Sequence, residues 1–330
     1  MSFGHIGRSL VGAAGAVLLL AGGAQAAYPE KPIEMVIPYG AGGATDIVGR
    51  MLAAEVGSKG FVSQPLTVVN RTGAGGVTGS AFAHSAKPNG YTMLIARIGS
   101  HSVSPAMKAS IPYKYDDFSH ISVIELNPFI CAVNPKNPIQ TYDQLIEAVK
   151  AKPGTITFSS SGVGSALHLA GVFIIDSAGV PDAKKAVVHV PFDSDGTAAA
   201  AVITGNIGFI CGNSSALAGH IGSKSLHPLL ITVPSPAFPD VPTAEKIGHP
   251  QLKAMVGWSS ISGPPGLPAE IKSYWGGVVE KLKGDQNWIA QMEKIGSVPV
   301  FMNEAESKAF IDEQFKIYDD LVTKLEMRIK

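Results

Sequence analysis

The sequence has few cysteines, no excess of charge of either sign and no metal-binding motif. Its 330 residues include two cysteines, Cys131 and Cys211, which are too few for a disulfide framework or a thiolate metal site. Lysine plus arginine and aspartate plus glutamate each number 26, so nothing favours a nucleic-acid or membrane-surface partner. The nine histidines form no H-E-x-x-H pattern, and no C-x-x-C occurs. We therefore expect neither a metal nor a nucleic acid to bind.

Long apolar runs are also lacking, except near the N-terminus. Residues 1–26 carry one charge, Arg8, followed by an apolar run at 10–20 and the sequence AGGAQA. This order is typical of a cleaved secretory signal peptide, whereas a membrane anchor would need about 20 apolar residues. We therefore expect cleavage near Ala26 and a soluble protein exported to the periplasm. In that oxidising compartment Cys131 and Cys211 could pair, but two unpaired buried thiols are the favoured expectation.

What the sequence does contain is an alternation of apolar strands and helices. The strand IEMVI (33–37) precedes a glycine-rich turn and a helix from Thr45 to about Val56, which Thr45 or Asp46 can cap. Strands at 66–70 and 92–96 follow, with a second glycine turn and helix between them. This spacing indicates a parallel sheet with helical crossovers.

The pattern then restarts, and the chain length favours about two domains. ISVIEL and FICAV (121–133) are predicted as strands, 141–150 as a helix, and TITFSSSGVGSALHLAGVFIIDSAG as strand, loop and helix. Further strands are predicted at 186–190, 207–211 and 229–233. From Trp258 the chain is predicted to be helical, ending in a helix from Asn303 to about Met327 that Asn303 and Glu306 cap.

Each α/β unit places a loop of small residues between a strand and the start of a helix. The loops are YGAGGATD (39–46) and SSSGVGSA (159–166). A helix N-terminus carries about half a positive charge and unpaired N–H donors, so each loop suits an anion, and the serines add hydroxyl donors. The P-loop pattern and the third glycine of a dinucleotide fingerprint are absent, so no cofactor is expected. The alternative is that the glycines only turn the chain.

Five stretches carry a resemblance to one family. YPEKPIEMVIPYGAGGATDIVGRMLA, VVNRTGAGGVTGS, KPNGYTMLIA, SSSGVGSALHLAG and FPDVPTAEKIG are similar, in this order, to the substrate receptors of tripartite tricarboxylate transporters, the Bug family. The resemblance implies an α/β, two-lobed periplasmic binding protein fold (type II-like), in which each lobe is a mainly parallel sheet flanked by helices and crossover strands join the lobes. It also implies a first lobe of residues 27–128 and 250–330 and a second lobe of residues 129–249.

The implied function is that of a monomeric, non-enzymatic solute receptor. Such a receptor captures a small organic acid, commonly a carboxylate or dicarboxylate, between its lobes and delivers it to the membrane permease subunits of its transporter. The ligand stays open among aliphatic di- and tricarboxylates, aromatic carboxylates and amino acids. Two alternatives remain. An exported α/β hydrolase-like enzyme is disfavoured because no G-x-S-x-G elbow occurs. A receptor that feeds a membrane sensor is not excluded by the sequence.

The resemblance also places the ligand-binding residues, which cluster in loops that follow strands. Asp46 is expected to order its loop, since its charge would repel a carboxylate. Arg97 could clamp a carboxylate or pair on the surface. Asp193 stands where the family often has lysine. In the cleft it would oppose a purely anionic ligand or pair with an amino group, and facing solvent it would have no role. The full set is Tyr39, Gly40, Ala41, Gly42, Gly43, Thr45, Asp46, Arg97, Gly99, Ser100, His101, Ser159, Ser160, Ser161, Val163, Gly164, Ser165, Phe192, Asp193 and Asn213.

Overall fold

The computed structural model describes residues 28–329, together with residues 1, 2 and 4. The predicted signal peptide and its cleavage site therefore lie outside the described residues, apart from those three positions. Within the described part, no helix is long and apolar enough to cross a membrane.

One mixed sheet runs through both halves of the molecule, and its strand order is β2-β1-β3-β9-β4-β7-β5-β6, with β8 and β10 pairing with β4 off this path. The strands are β1 (Ile33–Ile37), β2 (Leu66–Asn70), β3 (Thr92–Arg97), β4 (Ser119–Val133), β5 (Ile156–Ser160), β6 (Val187–Pro191), β7 (Phe209–Asn213), β8 (His227–Ile231), β9 (Val256–Gly263) and β10 (Val298–Pro299).

Each half of the sheet has a parallel group. In the first half β1 pairs in parallel with β2 and β3, and in the second half β5 pairs in parallel with β6 and β7. Parallel strands need crossover connections, which are the helices that the alternating sequence pattern predicts. The predicted two-lobed α/β fold is therefore confirmed.

The helices lie between these strands and after them. They are α1 (Ala44–Ser58), α2 (Val77–His84), α3 (Ser104–Met107), α4 (Tyr142–Ala151), α5 (Ala166–Asp176), α6 (Ala183–Ala186), α7 (Asp195–Ile203), α8 (Ser214–Gly222), α9 (Ala269–Lys283), α10 (Gln286–Lys294) and α11 (Glu304–Lys324), with short helical turns at Ala74–Gly76, Gly99–Val103 and Pro250–Ala254. The predicted capping of α11 is confirmed, since Asn303 and Glu306 form a reciprocal capping box.

Strand β4 joins the two halves of the sheet. It is one continuous strand of 15 residues, where the sequence suggested two. Its residues 119–128 pair with β9 in the first half, and residues 129–133 pair with β7 in the second. The chain therefore passes to the second lobe along β4 and comes back along β9.

The prediction of helix from Trp258 onward is wrong for the first few residues, which form β9. The segment has few β-branched residues, and its serines gave no strand signal. Ser259 and Ser262 are fully buried, and their hydroxyl groups bond to Glu125 and His120 of the neighbouring strand β4. Small polar side chains fit this position because β9 lies between β3 and β4.

The helices that follow β9 pack on the first half of the sheet. Trp275 of α9 and Trp288 of α10 are fully buried in one apolar cluster with Ile33 and Leu52. This packing agrees with a first lobe built from both ends of the chain. The lobe boundaries themselves, at 128/129 and 249/250, stay a prediction.

The two cysteines form a disulfide, so the expectation of unpaired thiols is wrong. Cys131 of β4 and Cys211 of β7 are direct partners in an antiparallel ladder, with an S–S distance of 1.99 Å. The pairing of these strands brings the thiols together across 80 residues of sequence, a register that cysteine spacing alone does not reveal.

Candidate functional site

The loop between β1 and α1, residues 39–46, is held by Asp46. Its carboxylate accepts hydrogen bonds from the N–H of Gly42 (3.0 Å), from Arg50 (3.0 Å) and from Asn70 (2.9 Å). Burial opposes its ionisation, but these three donors outweigh burial, so the pKa of Asp46 lies below its ordinary value. Asp46 thus orders the loop, as the sequence predicted. The predicted N-cap is wrong, however, because Gly43 occupies that position without a side-chain hydrogen bond.

Tyr39 begins the same loop, and glycines surround its hydroxyl group. The hydroxyl donates to the carbonyl oxygen of Gly75 at 3.0 Å. A Cβ at Gly76 or Gly99 would lie only 2.7 or 2.2 Å from the tyrosine oxygen, so these two positions must lack a side chain. Burial raises the pKa of Tyr39, which keeps the hydroxyl protonated as a donor.

Arg97 ends β3 and is buried, with 2% of its surface exposed. Its Nη1 donates to Glu125 of β4 and to Ser259 of β9, both at 2.6 Å. Its Nη2 is also buried and finds no hydrogen-bond partner among the described residues. Arg97 is therefore not a surface residue, and half of its guanidinium fork is free to bind a carboxylate.

His101 and Ser100 lie behind this strand end. The ring of His101 is fully buried between Phe118 and Tyr113, and its Nδ1 is 2.9 Å from the Ser100 hydroxyl. Burial, with a smaller contribution from nearby His120, holds the pKa of His101 well below its ordinary value. The structure therefore places His101 in an aromatic cluster and does not bring it to the space between the lobes.

The serines of the second-lobe loop, residues 159–165, have different roles from one another. Ser159 donates to the carbonyl of Ala198, and Ser160 lies 2.5 Å from His189. Ser165 is the N-cap of α5 and accepts from the N–H of His168 at 3.2 Å. Ser161 is the one serine of this loop that lines the space between the lobes. The hydroxyl groups of Ser159 and Ser160 have partners inside the lobe, whereas that of Ser165 accepts a backbone N–H and keeps its own proton. Contact between these serines and a ligand stays a prediction.

Two stacked histidines support this loop from behind. The rings of His168 and His189 lie 3.9 Å apart, and both stack on Phe158. Burial lowers the pKa of His168 to about 3, with the neighbouring His189 adding to the effect, and burial lowers the pKa of His189 to about 4. Two neutral rings can stack at this distance, whereas two charged rings would repel each other.

The turn before α7 brings a different aspartate to the site from the one predicted. The side chain of Asp193 is exposed, and its backbone carbonyl accepts from the N–H of Gly40 at 3.3 Å. Asp195, two residues later, is buried and lines the space between the lobes. Its Oδ2 accepts from the side chain of Asn213 at 2.8 Å. Phe192 is partly buried and packs against the larger apolar core, which contains residues of both lobes.

The loops of the two lobes touch one another. Besides the bond between Gly40 and Asp193, the hydroxyl of Ser104 donates across the gap to the carbonyl of Gly164 at 2.9 Å. The space that remains, which we call the interlobe cavity, has room for about one water molecule. It is lined by Tyr39, Thr45, Arg97, Ile98, Gly99, Ser161, Ala166, Leu167, Asp195 and Asn213.

Six of the predicted site residues meet at this cavity, namely Tyr39, Thr45, Arg97, Gly99, Ser161 and Asn213. Others form the loops around it: Gly40, Gly42 and Gly43 lie against the turn at 193–196, and Gly164 contacts the first lobe. Ala41 and Val163 are exposed on those loops. Sequence reasoning missed Ile98, Ala166, Leu167 and Asp195. The helix-start signal at Ser165 could have identified Ala166 and Leu167, since the first N–H groups of a helix have no partner within it.

Two serine–histidine contacts lie near the cavity in the second lobe. The hydroxyl of Ser160 does contact a histidine, His189, but no carboxylate orients that ring among the described side chains. Ser165 and His168 do not form a nucleophile–base pair either, since the serine accepts a backbone N–H and the ring accepts the N–H of Gly164. Within residues 28–329 there is also no group of three histidine, cysteine or acidic side chains that could hold a metal.

The sequence is similar to one family profile and to named relatives. The sequence profile described as "Tripartite tricarboxylate transporter family receptor" matches residues 48–327. Protein BugT of Bordetella pertussis (strain Tohama I) is 28% identical over 307 residues, which cover 92% of this chain and 92% of that protein.

Solved structures show the same fold. One described as a periplasmic transporter is 30% identical, with a TM-score of 0.85 over 92% of this chain and 100% of that one. Rpa4515 of R. palustris, solved with adipate, is 21% identical, with a TM-score of 0.84 over 91% of this chain and 98% of that one. At that identity the likeness is one of fold alone.

Proposed function

This chain belongs to the tripartite tricarboxylate transporter receptor family, and from that premise we propose that it captures a small organic acid between its lobes. The captured acid is then delivered to the membrane permease subunits of a transporter of this class. The pattern of residues 1–26 supports export to the periplasm, where a monomeric receptor would meet its ligand. The adipate found with a protein of the same fold supports a carboxylate as the ligand class.

One observation carries the proposal: a buried arginine and a helix N-terminus converge on the interlobe cavity from opposite lobes. Arg97 supplies Nη2 from the first lobe. Ala166 and Leu167, the first residues of α5, supply backbone N–H groups from the second. A carboxylate held between them would receive charge-assisted hydrogen bonds from both lobes, each contributing about 1.5–3 kcal/mol.

Closure of the lobes is the second part of the proposal. The contacts between Gly40 and Asp193 and between Ser104 and Gly164 join loops that belong to different lobes. Since the cavity has room for only about one water molecule when these loops meet, a ligand can enter only if they separate. We therefore expect the acid to bind to an open form and to stabilise a closed form.

A carboxylate library provides the test. A ligand present at 100 times its dissociation constant should stabilise the protein by about 2.7 kcal/mol, which a melting curve detects. Small-angle scattering on the saturated protein should then show a lower radius of gyration than the free protein. An unchanged radius with tight binding would contradict closure, and turnover of an ester or amide probe would favour an enzyme.

The variant Arg97→Lys tests the carboxylate contact. It keeps a positive charge beside Glu125 but removes the second N–H fork, so we expect affinity for the acid to fall about tenfold or more. Arg71→Lys is the matched control, because Arg71 pairs with Glu34 at 3.1 Å on the surface, away from the cavity. Equal affinities in the wild type and both variants would show that the acid binds elsewhere.

A further inference from the structure

We propose that the acid captured by this receptor also carries a positively charged amino group, and that Asp195 binds that group while Arg97 and the first turn of α5 hold the carboxylate. The inference rests on the proposed function, since it concerns the same cavity. It narrows the ligand class from organic acids in general to zwitterions.

Asp195 is not needed to complete the helix that it begins. Ser194 is the N-cap of α7, and Ser194 with Thr197 forms a reciprocal capping box. That pair already satisfies the backbone at the start of the helix. Asp195 is 5% exposed, and its Oδ2 accepts from Asn213 at 2.8 Å. No other side-chain hydrogen bond reaches this carboxylate in the described part of the chain, so Oδ1 is available to a ligand.

The charges around the cavity leave Asp195 without a counter-charge. Arg97 and Asp195 are the charged residues that line it. The positive charge of Arg97 is already matched by Glu125, whose carboxylate lies 2.6 Å away and is fully buried. The carboxylate of Glu125 also accepts hydrogen bonds from the hydroxyl groups of Ser259 and Ser297, at 2.5 and 2.7 Å. Its charge and its oxygens therefore have partners within the protein. Arg97, Glu125 and Asp195 together therefore carry one net negative charge, and Asp195 is the one of the three without an ionic partner.

A purely anionic ligand fits this balance poorly. A dicarboxylate would bring a second carboxylate close to Asp195 in a space shielded from water, where like charges repel more strongly than in solution. An ammonium group would instead neutralise Asp195 and donate up to three hydrogen bonds to its free oxygen and to neighbouring acceptors. A hydroxyl group could donate one hydrogen bond but would leave the charge uncompensated.

The two charges also come from opposite lobes. Arg97 stands at the end of β3 in the first lobe, and Asp195 stands at the start of α7 in the second. Both act electrostatically on the hydroxyl of Tyr39, which lines the same cavity. A ligand with one group of each sign would therefore contact one charged residue in each lobe when the lobes close.

Matched probe series test the proposal, with affinities measured by titration calorimetry on the protein without residues 1–26. Aspartate, malate and succinate share one skeleton and differ in an amino, a hydroxyl or no substituent. Alanine, lactate and propionate form the corresponding series of monocarboxylates, with an amino group, a hydroxyl group and no substituent respectively. The twenty common amino acids and a panel of non-amino carboxylates complete the set. We expect an amino acid to bind about tenfold or more tightly than its hydroxy and unsubstituted counterparts.

Asp195→Asn then assigns the effect to one side chain. The asparagine can still accept from Asn213, so the melting temperature should stay near that of the wild type. Affinity for the amino acid should fall about tenfold or more, while affinity for its unsubstituted counterpart should hold or rise. Asp193→Asn is the matched control, because it removes a negative charge from an exposed side chain two residues earlier in the chain. It should change the affinity for the amino acid much less.

The outcomes separate this inference from the proposed function. A non-amino carboxylate that binds more tightly than every amino acid would overturn the inference and leave the solute receptor intact. Equal losses of affinity for the amino acid in Asp193→Asn and Asp195→Asn would also overturn it. The overall negative charge of this region would then explain the effect without a direct contact to Asp195. Failure of every carboxylate to bind, with or without an amino group, would count against both.

Discussion

At the scale of single residues, Gly43 lies where the loops of the two lobes meet. Its φ of −80° is accessible to any residue, so alanine adds no backbone strain there. A Cβ would, however, stand 3.3 Å from the carbonyl oxygen of Gly40 and 3.5 Å from the backbone nitrogen of Asp195 in the other lobe. We expect Gly43→Ala to keep its melting temperature while binding about tenfold more weakly, as measured by calorimetry beside a melting curve.

Gly57→Ala is the matched control for this prediction. Gly57 lies near the other end of the same helix, and a Cβ there would meet nothing within 4 Å. Binding should be unchanged in this variant. Normal affinity with a lowered melting temperature in Gly43→Ala would show instead that this glycine only shapes the turn.

The serines of the second-lobe loop make a second prediction at this scale. Ser165 caps α5, so Ser165→Ala should lower the free energy of unfolding by about 0.5–2 kcal/mol. Ser161 lines the cavity, so Ser161→Ala should weaken ligand binding and leave unfolding almost unchanged. Denaturant unfolding and calorimetry on the two variants distinguish these roles. The reverse result would mean that the hydroxyl of Ser165 reaches the ligand.

At the scale of elements, the stack of His168 on His189 makes the second lobe sensitive to acid. A histidine in the unfolded chain has a pKa near 6.5, whereas burial holds the pKa of His168 at about 3 in the folded protein. The unfolded state therefore binds more protons below about pH 6.5. Stability should be full above that pH and should fall as the pH drops toward 3.

His168→Phe tests this pH dependence, since phenylalanine can keep the stacking on Phe158 without taking up a proton. Melting temperatures between pH 7.5 and pH 5 should fall less steeply for this variant than for the wild type. The same substitution at His220, on α8, serves as the control for a change of histidine to phenylalanine. Identical slopes in the wild type and His168→Phe would contradict the prediction.

Some elements could be predicted from the sequence because local signals decide them. The cap pair Asn303 and Glu306 fixes the start of α11, and the strand IEMVI (33–37) has the bounds that its apolar run predicts. Strand β9 could not be predicted, because its buried serines owe their place to bonds with β4. The candidate site, too, could be predicted only in part. Sequence marks the glycine and serine loops, but only the folded turn before α7 decides that Asp195 faces the cavity and Asp193 faces solvent.

At the scale of the whole molecule, the disulfide constrains most of the second lobe. Cys131 and Cys211 are separated by 80 positions in the sequence, and the segment between them includes β5, β6 and the helices α4 to α7. Closing a loop of this length in the unfolded chain stabilises a protein by about 2–4 kcal/mol. We expect reduction, or the double variant Cys131→Ser with Cys211→Ser, to lower the melting temperature.

Ligand binding should survive that change at temperatures where the protein stays folded, because neither cysteine lines the interlobe cavity. Calorimetry on the reduced protein checks this, with the untreated double variant as the control for reductant effects. A loss of binding without a loss of stability would mean that the bridge positions the second-lobe loop.

The bonds of Arg97 to Glu125 on β4 and to Ser259 on β9 tie it to both strands that connect the lobes. If the lobes close as proposed, we expect Arg97 to lie near the pivot and to move little, while Asp195 and the second-lobe loop move further. We then expect an incoming acid to contact Arg97 before it contacts the rest of the site. Its association rate constant should depend on the first lobe, whereas its residence time should depend on the second, since departure requires those later contacts to break first.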